Sequence, residues 1–143
     1  MKDGGLRDLF RHHLKAGWHW QTVEMSFASP GAPDLNGCSQ GIEVWVEMKQ
    51  TKEWAVTLEV EQIGWALART RRGGRVFIAV RRRHEGGPRI GKAVDELWLL
   101  RGSFARELRA LGLRRCPPAA VVGVWPGGVS GWAWDEVRAA LVG

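Results

Sequence analysis

The chain has 143 residues, 45% of them apolar and 25% charged, the usage of an ordinary packed domain and not of a disordered or fibrous chain. No apolar run approaches the roughly 20 residues of a membrane helix, and the start MKDGGLRDLF lacks the apolar core of an export signal, so the expectation is a cytoplasmic protein with no membrane segment. Five lysines and sixteen arginines against fifteen acids give a formal net charge of +6, which favours a polyanionic partner, most simply nucleic acid.

Residues 2–15 read as an amphipathic helix, with Leu6, Leu9, Phe10, His13 and Leu14 on one stripe and Gly17 beyond its end. From Trp20 to Ala28 the chain alternates, Val23, Met25 and Phe27 on one side and Glu24 and Ser26 on the other, as a half-buried strand does. The turn formers of SPGAPDLNG follow, with a short strand around Leu35 before Gly37 and Gly41. The clearest strand runs from Ile42 to Lys49. Ile42, Val44, Val46 and Met48 fall on one face, and Glu43, Trp45, Glu47 and Lys49 on the other.

A helix over about Thr57 to Arg71 comes next, with Val60, Ile63, Ala66 and Leu67 inward and Gly73-Gly74 ending it. Arg75 to Arg82 reads as a buried strand and Gly86-Gly87-Pro88 as a loop. Asp95 to Leu100 is another strand, and Ser103 caps a helix to about Leu111. Beyond Pro117-Pro118, a short strand spans Val121 to Trp125, and a last helix runs from Trp134 or Asp135 to Leu141. Helices interleaved with strands predict an α/β chain with a central mixed sheet. No repeat or long linker divides it, so residues 1–143 are expected to form one domain.

The chemistry concentrates at three residues. Asp34 follows Pro33 at a turn, and a hairpin would bring it beside Glu47 and Lys49 on the next strand. Phosphodiester hydrolysis requires charge neutralised on the phosphate and a water made nucleophilic. Hard divalent cations do both and prefer carboxylate oxygens. A lysine two residues from the glutamate can orient the water or face developing negative charge. The plainer reading of Glu47 and Lys49 is a solvated ion pair at a strand end.

GAPDLNG, then IEVWVEMKQ, then EQIGWALARTRRGGRVFIAV resembles the compact PD-(D/E)XK nucleases, in the phage and bacterial branch related to VRR-type nuclease domains and archaeal Holliday junction resolvases. The matching positions are Gly31, Asp34, Glu47, Lys49 and Gln62, and the resemblance covers about residues 22–82. It implies a restriction-endonuclease-like αβββαβ core over about residues 1–83 with a C-terminal extension over about 93–143. It also implies Mg2+ dependence, with Mn2+ as a substitute, and cleavage of DNA in a bacterial or phage-infected cell. Asp34, Glu47 and the backbone carbonyl of Met48 would then bind the metal, and Gln62 would orient Lys49 or contact substrate. Spacing alone leaves Gln62 equally an exposed helical glutamine.

Relatives often carry a further glutamate in the first helix, where this chain offers only Asp8. Glu24 is the alternative source of an extra acidic ligand. Arg69, Arg71, Arg72 and Arg75 around the glycine turn, Arg81, Arg82 and Arg83 at a strand end, and Lys52 are the candidate DNA-binding cations. A solvated loop is the alternative for Arg81 to Arg83.

The histidines and the two cysteines show no zinc spacing, and both thiols should be free; His13 reads as a packed histidine. Of nine tryptophans, Trp98 and Trp125 are expected in the core, while Trp18, Trp20, Trp45 or Trp65 could stack on an unpaired base. Two further readings stand beside the nuclease. One is a Holliday junction resolvase acting as a homodimer; the other is a nucleic-acid-binding module without catalysis.

Overall fold

In the computed structural model, which describes residues 3–24 and 30–143, six strands form one mixed sheet in the order β1-β2-β3-β4-β5-β6. The elements are α1 (Leu6–His13), β1 (His19–Thr22), β2 (Leu35–Ser39), β3 (Ile42–Thr51), α2 (Val60–Arg71), β4 (Arg75–His84), β5 (Val94–Arg101), α3 (Ala105–Arg115), β6 (Val121–Trp125) and α4 (Trp134–Val142). The first six give the expected αβββαβ order. Only β3 and β4 run parallel, with Glu47 opposite Ile78, because a helix, α2, connects them. All the other neighbours are antiparallel. Strands β5 and β6 continue the same sheet, so the C-terminal extension completes its edge.

The alternation along β3 divides the core into two layers. Val44, Val46 and Met48 pack with Leu6, Phe10 and Leu14 from the α1 region and with Val137 and Leu141 of α4. The opposite layer joins Val76, Ile78 and Val80 of β4 to Ile63 and Ala66 of α2 and to Leu108 and Leu113 of α3. Helices therefore cover both sheet faces, as a parallel pair at the sheet centre requires.

Several boundaries differ from the sequence expectation. Strand β1 ends at Thr22, and residues 25–28 of the expected Trp20–Ala28 strand lie outside the described residues. Helix α2 begins at Val60 and not near Thr57, because Val56 and Leu58 enter the core from extended backbone and Glu59 and Gln62 form a capping box. Val60, expected inward, is 65% exposed, since Leu58 fills that part of the core. Helix α3 runs past Leu111 through a kink at Gly112, where the Leu113 N–H donates to the Trp54 carbonyl at 2.8 Å. His13 packs as expected, stacked on Trp134 with ring centroids 4.5 Å apart, and burial lowers its pKa. Trp125 is core and Trp98 half-buried beside the second layer. Cys38 and Cys116 are free thiols. No helix among the described residues is long and apolar enough to cross a membrane.

Candidate active site

The C-terminal half of β3, the entry to β2 and the N-terminal ends of α1 and α2 enclose a cleft of about 580 Å3. Gly31 sets the approach to it. Its φ of +83° suits glycine, and a Cβ there would meet the Glu61 carbonyl oxygen at 2.1 Å. The turn thus packs directly on the start of α2, which brings Asp34 toward Gln62.

Asp34 is locked in place at the mouth of the β2–β3 pair. Its backbone N–H donates to Glu47 Oε1 at 3.2 Å, and its Oδ1 accepts the Met48 N–H at 3.1 Å. Glu47 is only 7% exposed, an uncommon position for a carboxylate. Lys49 Nζ lies 3.5 Å from Glu47 Oε2, two residues along the same strand face.

Gln62 joins these groups. Its Nε2 donates to Glu47 Oε2, while its Oε1 accepts from Lys49 Nζ at 3.0 Å and from the Glu59 N–H at 2.9 Å. Donor and acceptor each face the partner they require, so the amide has one orientation. The helix cap and the Lys49 anchor are therefore the same side chain.

The electrostatics oppose ionisation. Burial pushes the Asp34 carboxyl up to about 6, against the pull of its two backbone N–H contacts, with Asp3 raising it further and Arg7 lowering it. Burial likewise pushes Glu47 up to about 7, reinforced by the Asp34 charge and opposed by Lys49. Two carboxylates share this site with a single close ammonium, and their burial together keeps the pair from ionising fully until about neutral pH. A divalent cation between them would supply the missing charge, so the donor set suits a hard oxygen-seeking ion. Among the described residues no three His, Cys, Asp or Glu side chains come together as metal ligands. Such an ion would rest on two carboxylates, with backbone oxygen, water or phosphate filling its other positions.

Asp34, Glu47, Lys49 and Gln62 thus converge as anticipated. Glu24 does not join them: it is exposed, beyond the end of β1, and only its neighbour Val23 lines the cleft. Asp8 is exposed too, 4.0 Å from Arg11. Besides Glu59, the N-cap of α2, the additional charged groups lining the cleft are Asp3, just before α1, and Arg7 within it. Among the described residues, Arg7 Nε is buried there without a hydrogen-bond partner. No sequence pattern marks these two residues, because only the docking of α1 on the sheet places them.

The candidate DNA-binding arginines need correction. Arg81 is buried, with Nε and Nη2 each 2.8 Å from Asp95 and Nη1 bonded to the Gly4 carbonyl. Arg82 is buried against Glu96 at 2.6 Å and over the Trp54 ring. Arg75 donates to the Leu141 and Gly143 carbonyls, holding the C-terminus of α4. Arg81 thus has every nitrogen bonded within the fold, while Arg82 is held through Nε and Arg75 through Nε and Nη2. Arg69, Arg71 and Arg72 are exposed but sit at the far end of α2, roughly 10–15 Å along the helix from Gln62. Arg69 also lies over Trp45 and Trp65, which leaves that aromatic pair covered. Trp18 and Trp20 stack on each other, with Trp20 over Gly37. Arg83 and Lys52 are exposed at the same sheet end as the cleft.

No family model and no curated protein matches the chain. Among solved structures it is similar to Hjc, a Holliday junction resolvase from the archaeal hyperthermophile Archaeoglobus fulgidus. Identity is 17% over 69% of this chain and 75% of that one, with a TM-score of 0.47. A likeness at that level says nothing of what this chain acts on.

Proposed function

We propose that the chain is a divalent-metal-dependent endodeoxyribonuclease that hydrolyses phosphodiester bonds in the cleft between α1, β3 and α2. The observation that carries this reading is the carboxylate pair of Asp34, half-buried just before β2, and Glu47, buried on β3, both held at raised pKa beside Lys49. Burying two acids together costs stability, and here both open onto a cleft of about 580 Å3.

Asp34 and Glu47 would hold the ion, with the Met48 carbonyl as a further oxygen donor. When bound, Mg2+, or Mn2+ in its place, would neutralise charge on the scissile phosphate and lower the pKa of a water. Lys49 holds its ammonium at the edge of the carboxylate pair, where it orients the attacking water and faces the phosphate oxygens. Gln62 keeps that ammonium in position through its Oε1. Arg7 adds positive charge on the opposite wall, and the net charge of +6 draws a polyanion toward the cleft.

A binding module without catalysis fits the site poorly, because two inward carboxylates would repel the phosphate such a module needs. The test is incubation with Mg2+ and a panel of duplex, single-stranded, flapped, nicked and four-way-junction DNA, with Glu47→Ala beside it. Cleavage by the wild type and none by the variant is expected. Preference for the four-way junction by a protein dimeric in solution would make it a resolvase. Equal cleavage by Glu47→Ala would overturn the assignment.

A further inference from the structure

A second cleft, of about 610 Å3, opens at the same end of the sheet. It lies between the β3–α2 connection and the β4–β5 hairpin, and its exposed cations are Lys52, Arg89 and Lys92. Glu53 is the single acid among its exposed walls. Ile90, on the hairpin tip, is 50% exposed, and Trp54 contributes a half-buried indole.

The hairpin holds its shape. Gly87 and Gly91 exchange two backbone hydrogen bonds of 2.9 and 3.0 Å, and Gly86 at φ +84° lies so close to Ala93 N that a Cβ would clash. The connecting segment is fastened as well. Thr51 Oγ1 donates to the Ala55 carbonyl at 2.9 Å, and the Trp54 carbonyl accepts the Leu113 N–H.

The two clefts share one stretch of chain. Lys52 to Ala55 line the basic one, and two and four residues later Thr57 and Glu59 line the carboxylate one. Lys52 follows Lys49 by three residues, about 10 Å of extended chain, so a strand leaving Lys49 along the end of β3 would come within reach of Lys52.

Three cations around exposed apolar surface match a nucleic-acid strand, whose phosphates need charge and whose bases and sugars need contact area. The apolar contact decides its form. Ile90 can meet the face of a base only where that base is unpaired and unstacked, whereas a duplex presents this wall with its sugar-phosphate backbone alone.

We infer that the Lys52–Arg89–Lys92 groove receives an unpaired strand of the DNA on one flank of the scissile phosphate, making the preferred substrate a duplex with a single-stranded arm. This rests on the nuclease reading above and adds the substrate class to it. Lys52, Arg89 and Lys92 pair with phosphates, and Ile90 packs against a base or sugar.

The test measures anisotropy of labelled duplexes, blunt or carrying a 5′ or 3′ single-stranded arm, against wild type, Lys52→Ala/Lys92→Ala and Ile90→Ser in EDTA. Cleavage in Mg2+ is followed in parallel. The wild type is expected to bind one armed duplex at least tenfold more tightly than the blunt one. The double variant should lose about tenfold on that substrate, and its log-log salt slope should flatten by roughly 1.4, two single-strand phosphate contacts at about 0.7 each. Ile90→Ser should lose roughly fivefold with the slope unchanged, and both variants should bind the blunt duplex within about twofold of wild type. Their kcat/KM on the armed duplex should fall by the same factors as their affinity for it. A wild type indifferent to the arm, or variants that keep the preference, would overturn the groove assignment while cleavage dependent on Glu47 leaves the nuclease standing. Failure of every form to bind or cut any DNA would remove both.

Discussion

Replacing Asp34 with asparagine should stabilise the protein in the absence of divalent ions, although it removes a residue central to the proposed chemistry. The Asp34 carboxyl accepts one backbone bond, from Met48 at 3.1 Å. Asparagine can present its oxygen to that N–H and turn its amide nitrogen toward the cleft. What disappears is the cost of a buried charge. The Asp34 pKa rises from 3.8 to about 6 on folding, so the native state binds this proton more tightly than the unfolded chain. Stability therefore falls as pH rises from about 4 to about 6, and the full penalty remains above that. At about 1.4 kcal/mol per pKa unit the penalty approaches 3 kcal/mol, and partial solvent access reduces it to about 2 kcal/mol. For a chain of this length that corresponds to a melting temperature roughly 6–8 °C higher. The assay is thermal unfolding in EDTA at pH 8 and pH 5, wild type against Asp34→Asn. The gain should be largest at pH 8 and shrink toward pH 5. Mg2+ at about a hundred times its dissociation constant should add about 2.7 kcal/mol to the wild type only. A variant that melts at or below wild type at pH 8 would refute the reasoning that these carboxylates are buried against their own charge.

Other consequences concern single side chains. Because protons compete with the ion at groups of pKa about 6 and 7, the Mg2+ concentration for half-maximal cleavage should rise at least tenfold from pH 8 to pH 5.5; a midpoint independent of pH would contradict that competition. Lys49→Met should lower kcat on DNA by about a hundredfold or more yet retain the Mg2+-induced rise in melting temperature, which calorimetry can check. Gln62→Ala should lower kcat by roughly tenfold and stability by about 1 kcal/mol in denaturant titration, because one side chain both anchors Lys49 and caps α2. Asp95→Ala should cost about 3–5 kcal/mol in the same titration by leaving Arg81 buried without its partner. A cost under 1 kcal/mol would show that Arg81 is free to serve elsewhere.

The neighbourhood of Glu47 and Lys49 was readable because the two share one strand. Strict alternation from Ile42 to Lys49 puts Glu47 and Lys49 on the face opposite Val46 and Met48, and Gly31 and Pro33 mark the turn that delivers Asp34. Gln62 was singled out by the family resemblance and not by helical spacing, and its double role depends on where α2 starts, which the capping box decides. The arginines misled for a physical reason. Arg81 and Arg82 look solvent-directed at the end of an apolar strand, yet the β4–β5 register sets acids beside both, with Arg82 directly opposite Glu96 and Arg83 opposite Asp95. The length of the hairpin alone does not reveal that pairing. Asp3 and Arg7 were invisible because their relation to Asp34 exists only once α1 docks across the sheet. The order αβββαβ, by contrast, followed from local periodicity and glycine punctuation, which tertiary packing here reinforces.

The central claim is that Asp34 and Glu47 form a metal-dependent phosphodiesterase centre. Its most direct test is nicking of supercoiled plasmid by the wild type in Mg2+, in EDTA and as Glu47→Ala, from preparations purified identically. Nicked and then linear DNA is expected in Mg2+ alone, and none from the other two. Nicking that persists in EDTA, or that Glu47→Ala performs at the wild-type rate, would place the chemistry elsewhere.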